Sequence, residues 1–488
     1  MSSFWYATEV RRLFSRALAT PIISLAVPIM LQGVLMNLMG FVDAIMIGQL
    51  GETAIAALGN AQQLLSFLFL LMAALSIGGS VLIAQQRGAK NLSGIDNSGI
   101  SNSGIYNSAI DDSAMAMVQI GLIAGLVLGG IVWFFAESLV GLLTTDIFRA
   151  LELRSSVPQV AASYLQIVAF ALPAMLLSQL LTGALNALGD TRTPVKVALS
   201  FNLVNFVLNY VLIFGFGFPG LWSPLFTPLG FVGAAVATLS AATGQAIVLF
   251  WLAQRQDNGL ELSVRRLFGR YGTPLKTIVR LGYPNTIDGF YWQGARVFYT
   301  VLINSLGALA YAAYAIVRSL KTLFMLPIGG LQTATAVRIG HLLGAGQYQR
   351  AKATAALAIW VGLAMMTVPA SLLIVFAKPL LALYAITPET ERLAYICTWV
   401  LAGSLFFTAI NAVIPGLLRA GGDAAAVMHI TLLSFMLCGA PLAWLLGVYF
   451  KLGLVGAFVG ISGEEIFKSA LFVHRMRQYK WLKRLVKG

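Results

Sequence analysis

Predominantly apolar runs of about 20 residues or more recur along the whole chain, each long enough as a helix to cross a hydrocarbon core of about 30 Å. Twelve are counted, over 20–48, 54–86, 114–143, 157–188, 194–216, 229–254, 276–304, 312–340, 352–377, 393–418, 425–447 and 453–474. Several exceed what a bilayer needs, so their ends project into water or tilt. The composition agrees: 58% of the 488 residues are hydrophobic and 10% are charged, far from the mixture of a soluble domain. The expected fold class is therefore an all-α integral membrane protein with twelve transmembrane helices. The start, MSSFWYATEVRRLFSRALATP, leads into a full-length span and is expected to be retained rather than cleaved.

The formal charge of +14 invites a nucleic-acid reading until the 32 Lys and Arg are placed. Of these, 23 fall at the termini, in the even-numbered loops or at the span ends beside them and 5 in the alternate loops, while Arg296, Arg318, Lys321 and Lys468 lie deeper in spans. By the positive-inside rule the basic side is cytoplasmic, and both termini are expected there in a plasma (cell inner) membrane. Topology accounts for the charge, and no nucleic-acid partner is needed.

The chain repeats itself. LAVPIMLQGV at Leu25 aligns with LGYPNTIDGF at Leu281 with a shift of 256, which also pairs RGAK at Gly88 with LGAG at Gly344. LTGALNALGD ending at Asp190 pairs with IPGLLRAGGD ending at Asp423 with a shift of 233, so the first half carries about 23 extra residues (256 − 233). They are visible as NLSGI, DNSGI, SNSGI, YNSAI and DDSAM, a five-residue repeat from Asn91 to Met115. Its polar composition fits a flexible linker, its regular apolar position a short ordered coil; a dispensable insertion is the favoured reading over a partner site. LGFVGAAV and LGLVGAFV align with a shift of 223, and GFPGLWSPLFTP supplies the further 10 residues. The organisation expected is a six-helix lobe over 1–254 containing the 91–115 insert, a basic linker over 255–276, a second six-helix lobe over 277–475 and a basic tail over 476–488. The lobes are parallel repeats, a plan typical of transporters that alternate access around a central site.

Few acids lie inside spans. An intramembrane acid costs at least about 2.5 kcal/mol on insertion scales and is usually functional or paired. Asp43 is the sharpest case: at 100° per residue, Gln32, Met36, Met39 and Met46 share its face. A Met-rich wall repacks around different ligands, and an acid facing it can exchange a proton. In the fifth span Asn202, Asn205 and Asn209 share one face, which must meet protein or water. Thr238 in the sixth span lies near the same depth. A helix–helix clamp explains the Asn stripe alone; with Asp43 in the same half, a cation or proton site is the better reading.

In the second half Asp288 and Arg296 are expected to form a structural or gating ion pair, and Glu464 and Glu465 to pair locally with Lys468. Tyr291, Trp292 and Tyr299 within FYWQGARVFY either line a cavity for planar cations or pack as amphipathic rings. Cys397 and Cys438 lie in spans and support no disulfide or metal site, and the three histidines sit at or near span ends. An enzyme would need a convergent nucleophile, base or metal set, which is missing, so neither enzymatic activity nor a cofactor is expected.

PIMLQGVLMNLMGFVDAIMIGQLG in the first span, RGAKN, NALGDTRTP, NLVNFVLNYVLIFG and GFVGAAVAT resemble, in this order, the multidrug and toxic compound extrusion (MATE) family, and the first motif resembles its DinF-like branch. The resemblance covers about residues 17–475 outside the insert. It implies two six-helix lobes and export of small organic, cationic or amphipathic substrates from the bilayer by a monomer. The export would be driven by proton or sodium entry. It also implies that Asp43 matches the coupling acid, with Asn205, Asn209 and Thr238 at the other cation positions. DinF-like members generally carry Asp where Asn209 stands, and this departure favours proton over sodium. A lipid-linked oligosaccharide flippase of the same superfamily is the alternative; it would use Arg296, Arg318 and Lys321 to hold a pyrophosphate.

Overall fold

The computed structural model describes residues 16–93, 103–144, 156–215, 228–255, 260–382, 384 and 386–486. Among them the chain is helical nearly throughout, without a strand. In order, α1 is Arg16–Gly48, α2 Glu52–Ser93, α3 Ser103–Thr144, α4 Ser156–Ala169, α5 Leu172–Leu188, α6 Arg192–Phe214 and α7 Gly230–Arg255. After a short 3-10 helix, Val264–Phe268, come α8 Gly272–Asn304, α9 Ala308–Gly344, α10 Tyr348–Leu381, α11 Pro388–Ala420, α12 Ala424–Tyr449 and α13 Gly453–Arg477.

Among the described residues nine helices are long and apolar enough to cross a membrane, and α4 with α5, bent by 58° at their junction, passes the same test only as a pair. The remaining two, α8 and α13, are of crossing length but carry charges, Asp288 and Arg296 in one and Glu464, Glu465 and Lys468 in the other. The expected single span over 157–188 is thus broken, and Pro173 explains the break: it has no N–H to bond the carbonyl of Ala169, one turn earlier. That carbonyl lies against Gly129 of α3, and Pro173 lies against Gly125. The G-x-x-x-G spacing lets the bend approach the α3 backbone where any β-carbon would collide. In α12, Pro441 likewise follows a wide turn at Phe435–Gly439, in which Ala440 N–H bonds back to the Phe435 carbonyl.

The chain forms two compact units. One comprises residues within Met1–Met30, Ala84–Ser103 and Leu281–Gly488. Its core joins Ile22 and Ala26 of α1 to Val317 of α9, Leu357 of α10, Leu401 of α11 and Phe472 of α13. The end of α2 meets the end of α9 in this unit, with Gly88 against the His341 backbone and Gly344 against the Gln85 backbone. Buried Gln85 also donates to the carbonyls of Ala420 (2.8 Å) and Lys483 (3.3 Å) and accepts from Leu485 N–H (2.7 Å). The basic tail is therefore folded onto helix ends, with Trp481 buried and its indole donating to the Met476 carbonyl at 3.0 Å.

The other unit comprises residues within Leu31–Ile83 and Gly104–Arg280. Ile47, Ala57, Ala61, Val140, Leu165, Leu172 and Ala235 pack its core. Residues 94–102 of the five-residue repeat lie outside the described residues, but from Ser103 the repeat is the first part of α3. Asp111 there accepts from Glu261 N–H at 3.0 Å, and Asp112 pairs with Arg266 at 2.6 Å. Gln119 donates to the carbonyls of Leu267 and Gly269. The basic segment after α7 is thus strapped to the repeat's own carboxylates.

Candidate functional site

The site in the second of these units is built by four helices. On α6, Leu203, Val204, Phe206 and Val207 are exposed, as a lipid-facing side requires, whereas Asn209 is only 2% exposed and Asn202 and Asn205 are half-buried. The Asn stripe therefore turns toward protein, as helical spacing demands of amides that cannot face hydrocarbon. α7 lies close beside it, because Gly233 sits against the Leu212 carbonyl.

These helices bring the stripe to Asp43 of α1. Asn209 uses both amide hydrogens: Nδ2 donates to Asp43 Oδ1 at 2.8 Å and to Asn205 Oδ1 at 3.2 Å. Its own Oδ1 is buried without a hydrogen-bond partner. Such an orphaned acceptor is costly, about 1–3 kcal/mol, unless something else occupies it. Thr238 spends its hydroxyl hydrogen on the Ala234 carbonyl at 2.9 Å, so its oxygen meets the site as an acceptor. Tyr164 of α4, buried and stacked near Phe231, faces Thr238 and lies within electrostatic reach of Asp43. The sequence reading missed Tyr164; nothing in its spacing distinguishes it from a packing aromatic.

Chemically, this neighbourhood holds one carboxylate, two amide oxygens and two hydroxyls, with one formal negative charge. That set suits a proton, which needs one acceptor and a neighbour to share it. Its oxygens are also of the type that hard cations take. Of the expected wall residues, Gln32 and Asn202 are half-buried and Met36 is 58% exposed, while Met46 is buried in the core. The side chain of Met39 lies outside the described residues.

The first unit holds a different polar cluster. Lys468 bonds Glu464 at 2.9 Å and approaches Glu465 at 3.8 Å, the local pairing expected on one helix. Lys321 of α9 bonds Glu465 at 3.1 Å and Asn411 of α11 donates to it at 2.6 Å, neither legible from α13 alone. Tyr299 is 6% exposed, packs on Phe435 and donates to Glu464 at 2.5 Å, with both groups lying against Gly439. Trp292 is exposed but carries Lys468 over its ring at 5.2 Å, and Tyr291 is half-buried. The Asp288–Arg296 pair is also corrected. Asp288 pairs with Arg419 of α11 at 2.8 Å, while Arg296 bonds Gln293 at 2.9 Å, because residues eight apart on a helix are more than two turns apart in height.

Known proteins agree with this architecture. The MatE family model matches residues 28–101, 106–211 and 290–445. A probable multidrug resistance protein NorM of Thermotoga maritima is 27% identical over 95% of this chain and 93% of its own length. The multidrug resistance protein PmpM of Pseudomonas aeruginosa is 27% identical over 96% and 94%. A crystal structure of a MATE protein in a bent conformation superposes with a TM-score of 0.82 at 20% identity, covering 98% of this chain and 99% of that one. The matched segments take in Asp43, the Asn stripe and most of the second half of the chain, so the protein belongs to the multidrug and toxic compound extrusion (MATE) family of membrane transporters.

Proposed function

We propose that the protein is a secondary active exporter of small organic cations and amphipathic compounds, working as a monomer in the plasma membrane with both termini cytoplasmic. Export is antiport coupled to cation entry, with proton favoured over sodium. The observation that carries this reading is the hydrogen bond from Asn209 to Asp43 beside the unpaired Asn209 Oδ1. Asn209 can serve both states of the acid: Nδ2 donates to the carboxylate, and Oδ1, turned toward it, accepts from the neutral form. A proton arriving from outside displaces the substrate cation, and its release inside readies Asp43 for the next. The single charge of the site favours the proton, since an Asn stands where a second acid would strengthen a sodium site. The related proteins named for multidrug resistance support the substrate class.

The test is uptake of ethidium into inside-out vesicles under a proton gradient or a sodium gradient imposed separately, for wild type and Asp43→Asn. Proton-driven uptake lost in the variant is the expected result. No uptake under either gradient, with Asp43→Asn indistinguishable from wild type, sinks the export reading. A lipid-linked substrate is the second reading, kept by Arg296 and Arg318, which have no carboxylate within ion-pair distance among the described residues.

A further inference from the structure

The basic segment that follows α13 is pinned to the helix ends beside it. Tyr479, at a φ of +54° that few L-residues adopt, reverses the chain just past the end of α13. Trp481 is then buried to 1% exposure, and its carbonyl lies where a β-carbon on Gly421 would stand. Two residues of the segment are also tied to Gln85 of α2, which donates to the Lys483 carbonyl and accepts from Leu485 N–H.

This fold-back sets a height. Gln85 donates in addition to the Ala420 carbonyl at 2.8 Å, and Ala420 is the last residue of the apolar stretch Pro388–Ala420. The segment around 481–485 therefore lies where hydrocarbon gives way to lipid headgroups. The side chains it leaves exposed include Arg477, Lys480, Lys483 and Arg484, and no Asp or Glu occurs over 466–488. Lys352 of α10 adds another cation, over the ring of exposed Tyr479 at 4.3 Å. Asp423 lies nearby but is gripped by Arg475 through both oxygens, at 2.7 and 2.8 Å.

Topology asks only that basic residues lie on this side of the bilayer, which a loose tail would satisfy. A buried indole and a fully buried glutamine hold these cations at one height instead. Cations at that height face lipid phosphates, to which a cluster of Lys and Arg is drawn within a Debye length. We propose that Lys352, Arg477, Lys480, Lys483 and Arg484 form a docking surface for the headgroups of acidic phospholipids in the surrounding leaflet. The inference needs the membrane-embedded fold and is independent of the export reading.

The test compares a fluorescent phosphatidylglycerol with a fluorescent phosphatidylcholine, each binding to the purified full-length protein in neutral detergent and read by anisotropy. Wild type is expected to bind the acidic lipid roughly fivefold or more tightly, a preference that shrinks as salt rises. Replacing Arg477, Lys480, Lys483 and Arg484 together by Gln should remove most of that preference. Replacing Arg265, Arg270, Lys276 and Arg280 by Gln removes the same charge from exposed positions elsewhere and should leave it within about twofold of wild type. Equal losses in the two sets mean that net charge alone is read, and overturn the proposal, as does an unchanged preference in the first set. Trp481→Ala, measured below its own thermal midpoint, keeps every cation but frees the segment. It should also lose preference, and full retention refutes the pinned surface. Millimolar inorganic phosphate at matched ionic strength should not displace the lipid. If it does, the cations form a site for soluble anions and the lipid surface is refuted.

Discussion

Gly88 and Gly344 occupy equivalent positions of the internal repeat, and each is a glycine because the other's helix runs against it. A β-carbon at Gly88 would strike the carbonyl of His341, and one at Gly344 the carbonyl of Gln85. The contacts are reciprocal: 341 is 85 plus the repeat shift of 256, and 344 is 88 plus the same shift. The ends of α2 and α9 therefore cross at a local twofold, with backbone on backbone.

That crossing leaves no side chain free to yield. Gly88→Ala and Gly344→Ala are each expected to lower the thermal midpoint in detergent, by overpacking worth about 1–3 kcal/mol or more. Gly33→Ala in α1, where a β-carbon meets nothing within 4 Å, is the control and should leave the midpoint unchanged or slightly higher.

Asn209 should tune the coupling ion. Asn209→Ala removes a hydrogen bond to a charged acceptor, worth about 1.5–3 kcal/mol, and should slow proton-driven ethidium uptake by roughly tenfold or more. Asn209→Asp adds a second carboxylate beside Asp43 and should confer stimulation by sodium. Flux assays at matched membrane potential separate the two; a sodium-insensitive Asn209→Asp would count against the charge argument.

The buried network on α13 should behave as a unit. Lys468→Met leaves Glu464 and Glu465 with an uncompensated charge and should cost about 3–5 kcal/mol, whereas Glu464→Gln combined with Lys468→Met should recover part of it. Unfolding midpoints of the two single variants and the double variant give the coupling directly.

A double-mutant cycle distinguishes the partners of Asp288. Asp288→Asn with Arg419→Gln should show a stability coupling of about 0.5–3 kcal/mol, and Asp288→Asn with Arg296→Gln should be additive. The reverse pattern would mean that Asp288 is held from its own helix.

Much of this protein was legible before its tertiary structure. Span lengths follow from bilayer thickness, and the duplication from residues aligned at constant shifts. The Asp43 face, the Asn202–Asn205–Asn209 stripe and the Glu464–Lys468 pair all follow from the 100° step of a single helix, which packing does not alter. The sequence reading takes 157–188 as one span and passes over Pro173, and spacing along the chain could not show the bend of 58° there against Gly125 and Gly129. Tertiary structure alone decided the meetings between helices. It gave Asp43 its donor in Asn209, 166 positions away, and Asp288 its Arg419, 131 away. It set Lys321 on Glu465, buried Tyr299 under Phe435 and placed Tyr164 beside Thr238. The reason is geometric: sequence spacing fixes which residues share a helix face, but the crossing of two helices chooses which faces touch, and that choice depends on the packing of every neighbour at once.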